Sequence, residues 1–432
     1  MPSPLTPHPS RLQDWLAHLE GLHPQAIALG LERVEAVRAR MALAPAFPVV
    51  TVGGTNGKGS TCAFLEAILR AAGYRVGCYT SPHLLVYNER VRIDGVNASD
   101  AVLLQSFAAV EAARGDTALT YFEFGTLAAV VAFVEAGVDV AILEVGLGGR
   151  LDAVNAFDAD CAIVTTVDLD HQFWLGDTRE KIGWEKAHIY RAGRPAVCGD
   201  RDPPATLLEH ARATGADLQV LGRDFDVQAM DGQWAYRGPG GTRHALPPPV
   251  LRGDFQRGNA ACAIAALDAL RARLPVSLQD VRAGLLTAAA PARFQVLPGR
   301  PAVILDVAHN PQAARALASN LARMPGFKRT HAVFGILADK DAGAVIEAVA
   351  PEIDRWFVGG IAGPRGRSAA DTAALIERHA PAPVVTVCPD LAAAWGAATS
   401  AAGPDDRIVA FGSFLTVAAV VQLLHGQGRP SR

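Results

Sequence analysis

The residues best suited to chemistry are a lysine and two hydroxyl groups within a glycine-rich stretch, residues 53–61, which reads Gly-Gly-Thr-Asn-Gly-Lys-Gly-Ser-Thr. A β-branched run at residues 49–52 precedes it, and an apolar helical pattern follows it. Backbone N–H groups of such a loop, the positive end of the following helix and the ammonium group of Lys58 attract phosphate. Ser60 or Thr61 can offer a hydroxyl group to a metal ion. The stretch therefore predicts a site for a nucleoside triphosphate.

This loop departs from the common phosphate-loop pattern G-x-x-x-x-G-K-[ST] in two places. Val52 stands where the first glycine is expected, and Gly59 separates the lysine from the hydroxyl groups. From this stretch alone, a glycine-rich turn of a redox-type dinucleotide fold stays open as an alternative.

Polar residues also follow two apolar runs that predict buried strands. Glu144 lies near the end of the run at residues 138–145, and His171 follows the run at residues 161–167. In an open α/β sheet, ligands bind beyond the carboxyl ends of the strands. A buried carboxylate at that edge needs a partner, and a magnesium ion that bridges ATP phosphates supplies one. We therefore expect both residues at a metal or phosphate site, with a helix cap or arginine partner for Glu144 and a structural role for His171 as alternatives.

For other polar residues, the sequence pattern alone does not distinguish a ligand-binding role from a structural one. The turn at residues 80–84, which contains Ser81, can face a ligand or cap the next element equally well. Lys186 lies in a helix-like stretch where Glu–Lys neighbours usually form a solvated face. Asp306 and His309 follow a third buried run, and the Asn310 that comes next is a candidate helix N-cap.

The elements that must position these residues alternate between strand-like and helix-like runs, which is typical of parallel α/β sheets. We predict a P-loop-type, mostly parallel sheet in an ATPase domain at residues 1–295 and a smaller Rossmann-like α/β domain at residues 296–432. The proline-rich residues 291–301 are interpreted as the linker between them. Residues 223–249 predict a small antiparallel insert, and residues 259–273 predict a long alanine-rich helix.

Composition excludes several classes of protein. The net charge of −3 over 432 residues argues against nucleic-acid binding, which usually requires a basic face. The six cysteines show no C-x-x-C spacing, so reduced thiols are expected rather than a disulfide framework. Residues 1–10 have no apolar core and predict no signal peptide, and apolar runs fall short of the ~18 residues that a membrane span needs. We therefore expect a cytoplasmic enzyme.

Several further strings occur in a fixed order along the chain. They include Leu-Gly-Leu-Glu-Arg-Val at residues 29–34, Leu-Thr-Tyr-Phe-Glu at 119–123, Leu-Glu-Val-Gly-Leu-Gly-Gly-Arg-Leu-Asp at 143–152, Leu-Asp-His at 169–171, Glu-Lys-Ala at 185–187, Asp-Val-Ala-His-Asn-Pro at 306–311, Ala-Asp-Lys-Asp at 338–341 and Phe-Gly-Ser-Phe at 411–414. Together with the loop Gly-Thr-Asn-Gly-Lys-Gly-Ser, these strings resemble the dihydrofolate synthase/folylpolyglutamate synthase family of the Mur ligase superfamily. The resemblance extends from about residue 20 to about residue 420.

The resemblance implies an ATP-dependent amide ligase. Such an enzyme adds L-glutamate to 7,8-dihydropteroate, which makes dihydrofolate, and to the γ-carboxylates of tetrahydrofolates, through an acyl phosphate and with two Mg²⁺ ions. Folylpolyglutamate synthase activity alone, or a Mur-type peptidoglycan ligase, is the alternative, and an ATP-driven switch protein is an alternative of another class. A monomer with small-molecule substrates (ATP, L-glutamate, and dihydropteroate or folate) and without nucleic-acid or membrane partners is expected.

The resemblance also implies roles for individual residues. Catalytic roles fall to Lys58, His171 and Lys186. Nucleotide-binding positions are Thr55, Asn56, Gly57, Lys58, Gly59, Ser60, Asn259, Arg293, Asp306 and His309. The pocket for the pterin substrate matches Ile27, Ala28, Leu29, Thr120, Tyr121, Phe122, Glu123, Leu151, Asp152 and Ala153. Metal ligands match Ser81, Glu144, His171 and Lys186, and the last of these matches the lysine that the superfamily carbamylates.

Overall fold

The structure is a computed structural model that describes residues 9–25 and 27–426. The chain forms two compact units. The first contains the residues up to 167, 180–248 and 258–288, and the second contains 168–179, 249–257 and the residues from 289 onward. The boundary at residue 295 stays a prediction, and two short earlier segments accompany the second unit. Residues 1–8, on which most of the signal-peptide argument rests, lie outside the described residues.

The first unit is built on an eight-stranded sheet. Its strands are β1 (Val49–Gly53), β2 (Val76–Tyr79), β3 (Val91–Ile93), β4 (Val96–Asn97), β5 (Val140–Glu144), β6 (Cys161–Val164), β7 (Pro195–Cys198) and β8 (Asp217–Val220). Their order is β4-β3-β2-β5-β1-β6-β7-β8. Neighbours run parallel except at the β2–β3 and β3–β4 pairs. Every residue of β1 and β5 is buried, as expected for central strands covered on both faces. The predicted mostly parallel sheet is confirmed.

The helices before residue 288 belong to the first unit, except the helix at residues 172–175 and the first residues of the helices that begin at 179 and 255, which belong to the second. In chain order they are α1 (Leu12–Gly21), α2 (Glu32–Arg40), α3 (Lys58–Ala71), α4 (Asp100–Arg114), α5 (Tyr121–Ala136), α6 (Gln172–Leu175), α7 (Arg179–Ala187), α8 (Ala205–Thr214), α9 (Phe255–Ala269) and α10 (Leu278–Thr287). α5 illustrates why they form: Thr120 and Glu123 make a capping box at its start, and Gly137 ends it in the left-handed conformation. The helix predicted at residues 259–273 begins and ends four residues earlier, as α9.

Three antiparallel strands form the predicted insert: β9 (Asp226–Met230), β10 (Gln233–Gly238) and β11 (Gly241–Leu246). Among the described residues, no helix combines the length and the apolar character that crossing a membrane requires.

The second unit has its own six-stranded sheet. Its strands are β12 (Gln295–Leu297), β13 (Ala302–Leu305), β14 (Thr330–Phe334), β15 (Arg355–Gly359), β16 (Val385–Cys388) and β17 (Arg407–Phe411), in the order β12-β13-β17-β14-β15-β16. The helices are α11 (Pro311–Ala322), α12 (Ala342–Val349), α13 (Ala369–His379), α14 (Leu391–Ala401) and α15 (Phe414–Gly426). All strand pairs are parallel except β12–β13. The predicted α/β alternation is confirmed.

The interpretation of residues 291–301 as a linker is wrong in part. Gln295–Leu297 is strand β12, which pairs antiparallel with β13 at the edge of the second sheet. The prolines and the glycine at residues 298–301 occupy the turn between these two strands, where proline disrupts no ladder hydrogen bond.

Candidate active site

The glycine-rich loop joins the end of β1 to the start of α3, as predicted. Gly54 and Gly57 have φ angles of 137° and 89°, a region that residues with a Cβ atom rarely adopt. A Cβ atom on Gly54 would overlap the Thr165 hydroxyl group, and one on Gly57 would lie 2.5 Å from Asn259 Oδ1. Positions 54 and 57 are therefore packed too tightly for a side chain, and Asn259 lies directly against the loop.

The two residues that follow strand β6, Thr165 and Thr166, bind this loop. The Thr55 backbone N–H donates to the Thr166 carbonyl oxygen at 2.8 Å, and the Thr165 hydroxyl group donates to the Asn56 carbonyl oxygen at 2.5 Å. Lys58 Nζ curls back and donates to two carbonyl oxygens of the loop, at 3.0 and 3.2 Å. Sequence reasoning placed Thr165 and Thr166 inside the strand and missed this contact. Hydroxyl residues at the end of a strand beside a glycine loop were the available signal.

The first turn of α3 follows with Gly59, Ser60 and Thr61. Both hydroxyl residues are buried. The Thr61 hydroxyl group has no hydrogen-bond partner among the described residues. A buried polar atom without a partner is costly, so this helix start is suited to an additional polar ligand.

Glu144 is the last residue of β5 and lies opposite Val52 in the parallel ladder, immediately before the loop. Its side chain is buried, and its Oε2 accepts a hydrogen bond from the Ser81 backbone N–H at 3.0 Å. Because β2 runs parallel to β5, the turn after β2 brings Ser81 to the same sheet edge. The structure thus brings together two predicted metal ligands, and their oxygen donors are those that a hard divalent cation prefers. The donor set therefore fits such an ion.

Lys186 lies in the last turn of α7 and is buried, with 4% of its surface exposed. The prediction from spacing alone, a solvated helix face, is wrong for this residue. The backbone of Gly149 packs against the backbone of Lys186, since a Cβ atom on Gly149 would lie 3.1 Å from Lys186 Cα. Spacing failed because burial here depends on a loop that is distant in sequence.

His171 belongs to the second unit and has a left-handed backbone, with φ 51°. The Asp170 carboxylate accepts a hydrogen bond from the His171 backbone N–H at 2.8 Å. The same carboxylate accepts from Lys340 Nζ at 2.6 Å and from Asn310 Nδ2 at 3.1 Å, and it lies 3.6 Å from His309 Nε2. Burial opposes ionisation, but His309 and Lys340 hold the pKa of the Asp170 carboxyl group well below its usual range. Asp170 and Lys340 were not predicted as site residues, although they lie in the Leu-Asp-His string at residues 169–171 and the Ala-Asp-Lys-Asp string at residues 338–341.

Arg293 and Asp306 also lie in the second unit. The Asp306 carboxylate, at the end of β13, accepts from the backbone N–H groups of Phe294 and Ala308, each at 2.8 Å. Burial raises the pKa of Asp306 to about 6, although nearby Arg293 lowers it. The Arg293 guanidinium group lies 5.2 Å from the centre of the Phe414 ring. The predicted nucleotide-binding residues thus divide between the units, with the loop and Asn259 in the first.

Residues of the predicted pterin pocket are linked by an arginine that sequence reasoning missed. Arg33 Nη2 donates to Glu123 Oε1 at 2.8 Å and to the Ala28 carbonyl oxygen at 2.7 Å. Glu123 Oε2 accepts in addition from the Thr120 backbone N–H at 2.8 Å. The string at residues 27–29 therefore lies beside the start of α5. Arg33 lies in the Leu-Gly-Leu-Glu-Arg-Val string at residues 29–34, but its partner Glu123 is 90 residues away, so no local pattern indicated the pair.

Asp152 lies between Leu151 and Ala153 and is buried. Its carboxylate accepts from two backbone N–H groups, at 2.8 and 3.1 Å, while burial raises its pKa to about 7. The ring of Phe122 lies against Gly146 in the loop that leads to Asp152. Tyr121 meets the ring of Tyr87 edge-on, with the ring centres 5.8 Å apart. This part of the first unit therefore combines aromatic surfaces with a buried carboxyl group.

Comparison with known proteins agrees with these features. Residues 52–267 match the Mur ligase middle domain, and residues 292–414 match the glutamate ligase domain of Mur ligases. The dihydrofolate synthase/folylpolyglutamate synthase of Escherichia coli K12 is 45% identical over 416 residues, which is 96% of each chain.

Two solved structures are similar along their whole length. One is E. coli FolC in complex with DHPP and ADP, with a TM-score of 0.92 and 44% identity over 98% of this chain and 100% of that one. The other is a bifunctional folylpolyglutamate synthase/dihydrofolate synthase with Mn, AMPPNP and L-glutamate bound, with a TM-score of 0.88 and 44% identity over 96% and 98%. The chain is a member of the dihydrofolate synthase/folylpolyglutamate synthase family of ATP-dependent ligases, within the Mur ligase superfamily.

Proposed function

We propose that this enzyme uses ATP to join L-glutamate to the carboxylate of 7,8-dihydropteroate and, in a second activity, to the γ-carboxylates of tetrahydrofolates. The observation that carries the proposal is the phosphate loop beside the buried Glu144 and its partner Ser81 in the first unit. The relatives named above support it, because their names state both activities and one was solved with DHPP and ADP.

The chemistry requires activation of a poor electrophile. The substrate carboxylate takes the γ-phosphoryl group of ATP and becomes an acyl phosphate. The amine of glutamate then attacks the acyl carbon, the amide bond forms, and inorganic phosphate leaves. Phosphoryl transfer to an anion demands several positive groups at once. Lys58 and the backbone N–H groups of the loop between β1 and α3 supply part of that charge.

We assign the remaining charge to two Mg²⁺ ions. Ser81, Glu144, His171 and a carbamylated Lys186 are their proposed protein ligands. When bound, the ions would neutralise phosphate oxygens as charge moves to the leaving group. A lysine ammonium group cannot bind a cation, so Lys186 fits this set only in the carbamylated form. Its burial suits this modification, because it limits the protonation that releases CO₂.

The other proposed roles divide between the two units. In the first unit, residues 55–60 and Asn259 contact the nucleotide, while residues 27–29, 120–123 and 151–153 contact the pterin substrate. In the second unit, Arg293, Asp306 and His309 contact the nucleotide. Phe122 lies against Gly146, and the backbone N–H of the next residue, Leu147, donates to the Asp152 carboxylate. This arrangement supports the pterin assignment, because a buried carboxyl group can bind ring nitrogen atoms near an aromatic surface.

One assay tests this function and its alternatives. Release of ADP and incorporation of glutamate are measured with no acceptor, with dihydropteroate, and with tetrahydrofolate. We expect both signals only when an acceptor and glutamate are present together, and with either acceptor. Incorporation with tetrahydrofolate alone would leave only folylpolyglutamate synthase activity. Glutamate-independent ATP hydrolysis at a comparable rate would instead favour an ATP-driven switch.

A further inference from the structure

The loop that follows β5 makes a dense set of contacts with the last turn of α7, entirely within the first unit. We name residues 149–155 the brace. The Arg150 backbone N–H donates to the Glu185 carbonyl oxygen at 3.0 Å. The Asn155 amide group donates to the Arg150 carbonyl oxygen at 3.0 Å and to the His188 carbonyl oxygen at 3.3 Å. These bonds attach the brace to the residues on both sides of Lys186.

Gly149 permits this approach because it has no side chain. A Cβ atom there would lie 2.7 Å from the Glu185 carbonyl oxygen and 3.0 Å from the Lys186 carbonyl oxygen. Both neighbours are backbone atoms, which cannot rotate away as a side-chain terminus can. Any other residue at position 149 therefore forces the brace and the last turn of α7 apart.

A side-chain ion pair reinforces the backbone contacts. Arg150 binds Glu185 through Nη2 at 2.9 Å and through Nε at 3.2 and 3.3 Å to its two oxygens. The guanidinium group also lies 4.9 Å from the centre of the Trp184 ring. Such a forked pair has a defined orientation as well as charge attraction. Glu185 is thereby held in one rotamer directly beside Lys186.

We propose that the brace holds Lys186 in the position that carbamylation requires and sets its position relative to Glu144. Gly149 and Arg150 make the main contribution. The brace continues the chain from Glu144 through only four residues, so a displaced brace changes the spacing between two proposed metal ligands. Gly149 and Arg150 act through Lys186 and are positioning residues. This inference rests on the carbamylated Lys186 of the proposed function.

The modification itself needs only dissolved CO₂. The neutral amine of Lys186 attacks the carbon of CO₂, a C–N bond forms, and one C=O π pair moves to oxygen. The nitrogen then loses a proton to solvent, leaving a carbamate anion. No oxidant or further reactant takes part.

The test measures the carbamate directly rather than through activity. The enzyme is equilibrated with ¹³C-bicarbonate, and the carbamate carbon is observed by NMR, with Lys186→Ala as the blank. We expect a signal in the parent enzyme and at least a threefold loss in Gly149→Ala and in Arg150→Gln. The charge-swapped pair Arg150→Glu with Glu185→Arg should recover part of the signal, because it restores an ion pair at the same place.

Two matched variants control for the substitutions. Gly21→Ala introduces a Cβ atom with nothing within 4 Å. Arg114→Gln removes a similar ion pair, between Arg114 and Glu111, in which each side chain is 16% exposed. Both should retain the parent signal. If the parent itself shows no signal dependent on Lys186, the carbamate in the proposed function is wrong. If the parent shows it and both brace variants keep it in full, only the positioning inference is wrong.

Discussion

Replacing Gly57 with alanine should separate the function of the phosphate loop from its backbone strain, because α3 offers a matched control. Gly57 and Gly73 flank this helix, and both have φ 89°. Alanine in that region costs roughly 1–2 kcal/mol of folding free energy at either position. A Cβ atom on Gly73 meets nothing within 4 Å, whereas one on Gly57 lies 2.5 Å from Asn259 Oδ1.

The difference between the two variants follows from that contact. Ordinary van der Waals contact begins at 3.4 Å, so either the loop or the Asn259 side chain must move by about 1 Å. Either movement exceeds the tolerance of a hydrogen bond and displaces one of the groups proposed to contact the phosphates. Losing one charge-assisted hydrogen bond to phosphate removes about 1.5–3 kcal/mol of binding free energy. That loss weakens nucleotide binding by about 10- to 150-fold.

Isothermal titration calorimetry with ADP and Mg²⁺ measures this directly, beside thermal unfolding of both variants. We expect Gly57→Ala to bind ADP at least tenfold more weakly than the parent, and Gly73→Ala to bind within about twofold of it. Both should lose stability through the backbone strain, and Gly57→Ala should lose at least as much as Gly73→Ala, because it adds the overlap with Asn259. Equal ADP affinity in the two variants would refute the reasoning, since strain alone would then account for every effect.

Two further predictions concern the proposed pterin pocket. Arg33→Met removes the main partner of the buried Glu123, so we expect a loss of about 2–4 kcal/mol in urea unfolding and a raised KM for dihydropteroate with an unchanged KM for ATP. Arg11→Met, which breaks the exposed ion pair with Asp14, is the control and should leave urea unfolding nearly unchanged. For Asp152, burial raises the pKa in the native state to about 7, above the value in the unfolded chain. Between pH 5 and pH 7 the native state therefore keeps a proton that the unfolded chain has lost, and the free energy of unfolding falls by about 2 kcal/mol as the pH rises. The variant Asp152→Asn should show a flatter stability profile over that interval in urea unfolding, and a slope equal to that of the parent would contradict the assignment.

Local patterns in the sequence anticipated much of the fold. The runs at residues 49–52 and 161–167 begin where strands β1 and β6 begin, and Asn310 is the N-cap of α11 as predicted, with its side chain accepting from the Ala313 backbone N–H. These features depend on neighbouring residues alone: a β-branched run, or a side chain that caps its own helix. The antiparallel strand β12 was missed because its pairing lies across a turn rich in proline, a residue that usually signals a linker.

The candidate site was anticipated less evenly. Strand-end placement correctly brought Glu144 to the edge of the sheet beside the phosphate loop. Spacing alone misjudged Lys186, and it offered no sign of Arg33 or Lys340 as members of polar networks. Each of these depends on a partner far away in sequence, such as Glu123 for Arg33 or Asp170 for Lys340.

The sequence by itself determined that a glycine-rich loop with Lys58 follows a buried strand, and its ordered strings pointed to a folate-related ligase. The tertiary structure alone decided that Lys186 is buried, because Gly149 comes into contact with α7 only when the chain folds. It also decided at which glycines a Cβ atom would be excluded, since Asn259 contacts Gly57 from a helix about 200 residues later. Local backbone preferences act over a few residues and can be read along the chain. Burial and steric exclusion arise between distant segments and exist only in the fold.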